Sequence, residues 1–134
     1  MPVLRSETLQ IRSDYNVVQV RQQVRTRAIE VELSLVDQTK IVTAASELAR
    51  NTLTYGGGGI VVIDVFQDGL RKGIRLTFED EGPGIPDIAR ALTDHFTTGN
   101  GMGLGLGGAK RLSNEFAIKS EPGMTRVMIA RWKP

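Results

Sequence analysis

The sequence contains no cysteine and a single histidine, His95. No thiolates means no disulfide framework, no cysteine nucleophile and no Cys-ligated metal, and one imidazole makes a His-based metal site or a Ser-His-Asp triad hard to build. Aromatic residues are 5% of the chain, too few for a surface that stacks nucleic-acid bases. Seventeen Lys and Arg against 15 Asp and Glu leave a formal charge of +2 with no run of one sign, so no nucleic-acid partner is expected. No apolar stretch reaches membrane-spanning length, and the N-terminal MPVLRSETLQIRSDY lacks an apolar core of signal-peptide size. The expectation is a soluble, cytoplasmic protein with no membrane partner, whose chemistry rests on carboxylates, amides, hydroxyls and backbone.

The 134 residues leave room for one globular unit, residues 1–134 as a single domain. Alternation over Thr8-Leu9-Gln10-Ile11 predicts a first strand from Val3 to Ile11. Ser13 or Asp14 caps a helix carrying Val17, Val18, Val20, Val24, Ala28 and Ile29 at helical spacing, with Arg21, Arg25 and Arg27 read as its solvated face. Ser34 or Asp37 opens a second helix with Ile41, Ala44, Ala45 and Leu48 on one stripe, and Gly56 to Gly59 stop it near Tyr55 as a connector. A hairpin follows, Ile60 to Phe66 and Gly73 to Glu79 about Asp68-Gly69, then a short helix from Pro86 to Leu92. A glycine-rich loop opens another helix, and strands at Phe116–Ser120 and Thr125–Trp132 close the chain. The expected fold is an α/β (α+β) two-layer sandwich: a mixed, mostly antiparallel sheet with helices on one face.

Three constellations carry chemistry. In Glu47-Leu48-Ala49-Arg50-Asn51 the acid and the amide sit one helical turn apart and project from one side, bordering the buried stripe, where a cleft would be lined. A carboxylate there can take a proton from an attacking hydroxyl, and an amide oxygen can ligate Mg²⁺ without repelling phosphate. Directly after a strand comes Asp80-Glu81-Gly82-Pro83-Gly84-Ile85-Pro86, where glycines let backbone approach a flat ligand and Asp80 can accept a hydrogen bond from an amino group. The third segment, Gly99 to Gly108, holds six of the 15 glycines. Its exposed amides suit phosphate oxygens, yet it lacks the Gly-Lys-Ser/Thr of a Walker loop and follows no Rossmann-like strand.

Jointly these motifs resemble the Bergerat-fold ATPases and kinases of the GHKL superfamily. Glu47 and Asn51 match its N box, Asp80-x-Gly82-x-Gly84 its first glycine box, Gly101-x-Gly103-x-Gly105-Leu106 its second, and Phe96-Thr97-Thr98 the segment before it. Gly123-Met124-Thr125 is similar to the late motif whose threonine backs the adenine-binding acid. Within the superfamily, Ser46 to Asn51, Asp80 to Ile88 and Lys110 to Phe116 most resemble the serine/threonine kinases of bacterial partner switching, of the stressosome type rather than the anti-sigma-factor type. The sequence departs from the wider superfamily at Thr54 and Tyr55, where histidine kinases place a basic residue, and at Gly99 and Asn100, where a lid lysine is usual.

The resemblance implies ATP and Mg²⁺ as cofactors, Glu47 as catalytic base and Asn51 as the metal ligand. Asp80, Gly82, Gly84, Ile85 and Thr125 would hold adenine, and Thr98, Gly101, Met102, Gly103, Leu104, Gly105 and Leu106 would cover the phosphates. The departures at Thr54, Tyr55, Gly99 and Asn100 leave the basic phosphate clamp unassigned, with Arg50 and Lys110 as candidates. It further implies a substrate that is an STAS-domain antagonist protein, with a scaffold protein and a PP2C-type phosphatase as further partners. Two other readings stand beside it: an ATP-binding switch that sequesters a sigma factor or other regulator, and a detached ATPase domain of a gyrase- or chaperone-like machine, for whose extra segments the chain leaves no space.

Overall fold

A computed structural model describes residues 2–92 and 105–133. Strand β1 (Val3–Ile11) is followed by helices α1 (Asp14–Glu30) and α2 (Leu35–Thr54), the hairpin β2 (Gly59–Asp68) and β3 (Arg71–Asp80), and the short helices α3 (Ile88–Ala91) and α4 (Leu106–Arg111). Strands β4 (Glu115–Glu121) and β5 (Met124–Trp132) come last. The five strands form one sheet in the order β1-β2-β3-β5-β4, and every neighbouring pair is antiparallel. The expectation of a mostly antiparallel sheet with helices on one face is met.

Serines, not the neighbouring aspartates, begin both long helices. Ser13 Oγ accepts from the Asn16 amide at 3.3 Å, while Asn16 Oδ1 accepts from the Arg12 amide at 2.9 Å. Ser34 Oγ accepts from the Asp37 amide at 3.1 Å. Each serine bond satisfies one of the amides that a helix start leaves without a partner.

The core lies between the helices and one face of the sheet. Val61, Ile63 and Val65 of β2, Ile74, Leu76 and Phe78 of β3, and Val127 and Ile129 of β5 meet Val17, Val20, Val24 and Ala28 of α1 and Ile41, Ala44, Ala45 and Leu48 of α2. Their alternation along each strand is the pattern of a sheet buried on one side. The other face carries cross-strand ion pairs between register partners, Asp64 with Arg75 at 3.0 Å and Glu79 with Arg126 at 2.6 Å.

Two features of α1 differ from the expected helix. Val18 and Ile29 are exposed, because the buried stripe is narrower than the run of valines suggests. Arg27 is not on a solvated face: it is only 7% exposed, held against Glu30 (Nη1 to Oε2, 2.5 Å) and Glu7 (Nε to Oε1, 3.5 Å). A guanidinium taken out of water needs such carboxylates close by. The third helix also starts later than expected, at Ile88 rather than Pro86, with Asp87 as its N-cap; Asp87 Oδ1 accepts from the Arg90 amide at 3.0 Å.

Candidate nucleotide site

One row of the sheet sets the site. Gly59 pairs with Asp80, Asp80 with Thr125, and Thr125 with Ser120, so these residues line up across four strands at the end of the sheet where α2 terminates. A cavity opens there, lined by Leu48, Asn51, Thr52 and Tyr55 of α2 and its C-cap, by Phe78 and Asp80 of β3, and by Gly84, Ile85, Leu106, Thr125 and Val127. Its apolar walls with a few polar groups suit a small flat ligand.

Asp80 is the polar centre. Its Oδ1 accepts from the Gly82 amide at 2.9 Å, an Asx turn that fixes the carboxylate. Burial raises the Asp80 pKa above its ordinary 3.8, an effect the Gly82 hydrogen bond partly opposes. The glycines that follow are required by space: a Cβ on Gly82 would lie 2.7 Å from Gly56 Cα, and one on Gly84, at φ +86°, 2.5 Å from the Glu121 carbonyl oxygen.

Thr125 is buried opposite Asp80, and its hydroxyl shares a 2.7 Å hydrogen bond with Ser120 Oγ. Ser120 in turn accepts from the Ile85 amide at 2.7 Å. Ser120 thereby links the threonine to the loop after β3. Sequence reasoning passed it over because a lone serine in a strand carries no motif. Thr52 and Tyr55 escaped notice too, although with Leu48 and Asn51 they occupy one face of α2 at spacings of three, four and seven.

The two N-box residues are placed differently. Asn51 is half-buried and lines the cavity, whereas Glu47, one turn earlier, is exposed and stands next to the lining residue Leu48 rather than in the lining itself. Glu47 lies against Gly105, the N-cap of α4 at φ +66°, where a Cβ would fall 2.5 Å from Glu47 Oε2. Gly105 and Leu106 thus meet the site from the far side of the chain. Arg50 points away from the cavity and pairs with Asp14 at 2.8 Å, and Lys110 is exposed on the last turn of α4. Thr98, Gly101, Met102, Gly103 and Leu104 lie outside the described residues.

Gly56 to Gly59 do more than stop α2. Gly56 borders this cavity, and with Gly57, Gly58, Gly59, Glu79 and Asp80 it also borders an adjoining hollow that is larger and more polar. Among the described residues no cluster of three or more His, Cys, Asp or Glu side chains could hold a metal ion. No helix of the described residues is long and apolar enough to cross a membrane.

Comparison with known proteins accords with this geometry. Residues 36–133 match the family described as histidine kinase-, DNA gyrase B-, and HSP90-like ATPase. The chain is 42% identical over 125 residues to the serine/threonine-protein kinase RsbT of Bacillus subtilis, covering 92% of this chain and 94% of that one. It is 33% identical over 100 residues to an anti-sigma F factor of Geobacillus kaustophilus, covering 69% and 66% of the two chains. Among solved structures, that of the RsbU and RsbW domains of a Mycobacterium tuberculosis protein superposes with a TM-score of 0.67 at 20% identity, over 97% of this chain and 33% of that one. The chain belongs to the histidine kinase-, gyrase B- and HSP90-like ATPases.

Proposed function

We infer that this protein is an ATP-dependent protein serine/threonine kinase of a partner-switching pathway, with residues 1–134 acting as one catalytic domain in the cytoplasm. The observation that carries the reading is the meeting of Asp80, Thr125 and Asn51 around one cavity with Glu47 exposed next to its lining residue Leu48. A base that serves a small substrate is best enclosed, but one that serves a hydroxyl on another protein must be reachable from outside.

Asp80 accepts the adenine amino group, with Thr125 behind it, and Phe78, Leu48, Ile85 and Val127 supply apolar walls for the ring. Gly105 and Leu106, which reach the site beside Glu47, would face the phosphates. Glu47 orients the incoming hydroxyl and takes its proton as the γ-phosphoryl group moves onto the oxygen. Asn51 suits Mg²⁺: it is half-buried in the cavity lining, and its uncharged side-chain oxygen can ligate the ion without repelling phosphate. Such an ion would neutralise charge on the phosphates.

The substrate in this reading is a serine or threonine of an STAS-domain antagonist protein. The kinase, once released from it or from a scaffold protein, activates a PP2C-type phosphatase by contact. The anti-sigma F factors among its relatives favour a second reading, in which the chain binds ATP and sequesters a regulator with little transfer. Incubation of the protein with γ-labelled ATP, Mg²⁺ and STAS-domain proteins of the same organism separates them. Label on a partner serine or threonine supports the kinase; tight complex formation without label supports sequestration.

A further inference from the structure

Arg131 has no part in the cavity, yet it ties together the elements on either side of Glu47. From β5 its guanidinium donates to Asp37 Oδ1 through Nε at 3.1 Å and Nη2 at 2.6 Å, and through Nη1 to the Leu112 carbonyl at 2.8 Å. Asp37 stands in the first turn of α2, and Leu112 is the C-cap of α4. The group is nearly buried, with 14% of the Arg131 side chain and 16% of the Asp37 side chain exposed. One side chain therefore fastens three elements, with the fork geometry that only arginine offers.

The N-terminal end of α4 meets α2 at Glu47, two turns before the end of α2. Asp37 and Glu47 are about 15 Å apart along α2 at 1.5 Å per residue, and Gly105, which begins α4, lies against Glu47. Helix α4 thus runs back along α2 from Glu47 toward Asp37. Within that contact Leu106 and Ala109 are buried, and Leu106 forms part of the cavity wall. A six-residue helix has little hold of its own, so what fixes its C-terminal end decides how closely its N-terminal end sits on Glu47.

We propose that Arg131 is a positioning residue for phosphoryl transfer, setting the axial position of α4 on α2 and through it the seat of the Glu47 carboxylate at Gly105. Asp37 is its counter-charge: the hydrogen bonds from Arg131 hold the Asp37 pKa below its ordinary value, as a formed ion pair requires. The inference rests on the kinase reading above for its effect on turnover, but not for its effect on α4.

Arg131→Met keeps most of the side chain's apolar stem and removes all three hydrogen bonds, Asp37→Asn removes the charge, and Arg131→Lys restores a cation. Each variant is compared with the wild type well below its melting temperature by transfer from γ-labelled ATP and by amide hydrogen exchange. For Arg131→Met, kcat is expected to fall about tenfold, since small misplacements of catalytic groups cost at least this much. KM for ATP should change by less than kcat does, because Asp80 and Thr125 hold adenine from the sheet and only Leu106 of the cavity wall moves with α4. Exchange at Ala109 and Leu112, whose amides bond to Gly105 and Gly108, should quicken while the amides of α1 stay protected. Arg131→Lys should recover most of kcat and of the local protection, and Asp37→Asn should fall between. An unchanged kcat, or exchange that quickens uniformly across the chain, would overturn the proposal and leave Arg131 as a general stabiliser. If the wild type transfers no label, the kinase reading fails, and selective exchange at Ala109 and Leu112 still decides whether Arg131 holds α4.

Discussion

Replacing Asp80 by asparagine separates what the residue does for the ligand from what it does for the fold. The side chain keeps an oxygen for the Gly82 amide, now 2.9 Å away, so the turn after β3 survives. Its other atom becomes an amide NH₂, a donor facing the donor of the adenine amino group. A hydrogen bond to a charged acceptor contributes about 1.5–3 kcal/mol, so ATP should bind roughly 10- to 150-fold more weakly. The fold should respond in the opposite sense. Burial raises the Asp80 pKa, which means that the ionised carboxylate disfavours the native state, increasingly as pH rises through that pKa. Removing the charge should leave the nucleotide-free protein at least as stable near neutral pH. Titration calorimetry with ATP and ADP, paired with thermal unfolding without nucleotide, tests both halves. An affinity within threefold of wild type, or a clear fall in melting temperature, would refute the reasoning.

Glu47→Gln should lower label transfer by about a hundredfold or more while leaving ATP affinity within twofold, as read by single-turnover kinetics and calorimetry. Asn51→Ala removes a half-buried polar group from the cavity lining; at about 1–3 kcal/mol it should weaken Mg-ATP binding roughly 5- to 150-fold, and metal-free ATP less. ATP affinity should fall as pH drops through the Asp80 pKa, at a pH above 3.8 because that pKa is raised, and the fall should vanish in Asp80→Asn. Asp37 behaves oppositely: its lowered pKa gives stability that is present above 3.8 and lost as pH falls through the folded-state value, so Asp37→Asn should be less stable than wild type at neutral pH and match it in strong acid.

Most of the fold is legible in local chemistry. The caps at Ser13 and Ser34, the alternation of Ile74, Leu76 and Phe78, and the Asp68-Gly69 turn each carry their own instruction. So does the Asx turn at Asp80, because the acid and Gly82 are two residues apart. Arg27 was misread because its partners are partly remote: Glu7 is on β1, and a charged residue among other arginines gives no local sign that a strand will supply a carboxylate. Val18 and Ile29 show the converse, apolar side chains in helical phase left facing water.

The sequence by itself singled out Asn51, Asp80 and Gly84, which line the cavity, since the Glu-Asn turn and the acid and glycines after the strand are written in short segments whose geometry is local. Tertiary structure alone decided that Asn51 lines the cavity while Glu47 stays outside the lining, that Ser120 couples Thr125 to Ile85, and that Arg131 reaches both Asp37 and Leu112. Those placements depend on the register of β3 against β5 and on the packing of α4 along α2, contacts between residues far apart in the chain, which no local pattern encodes.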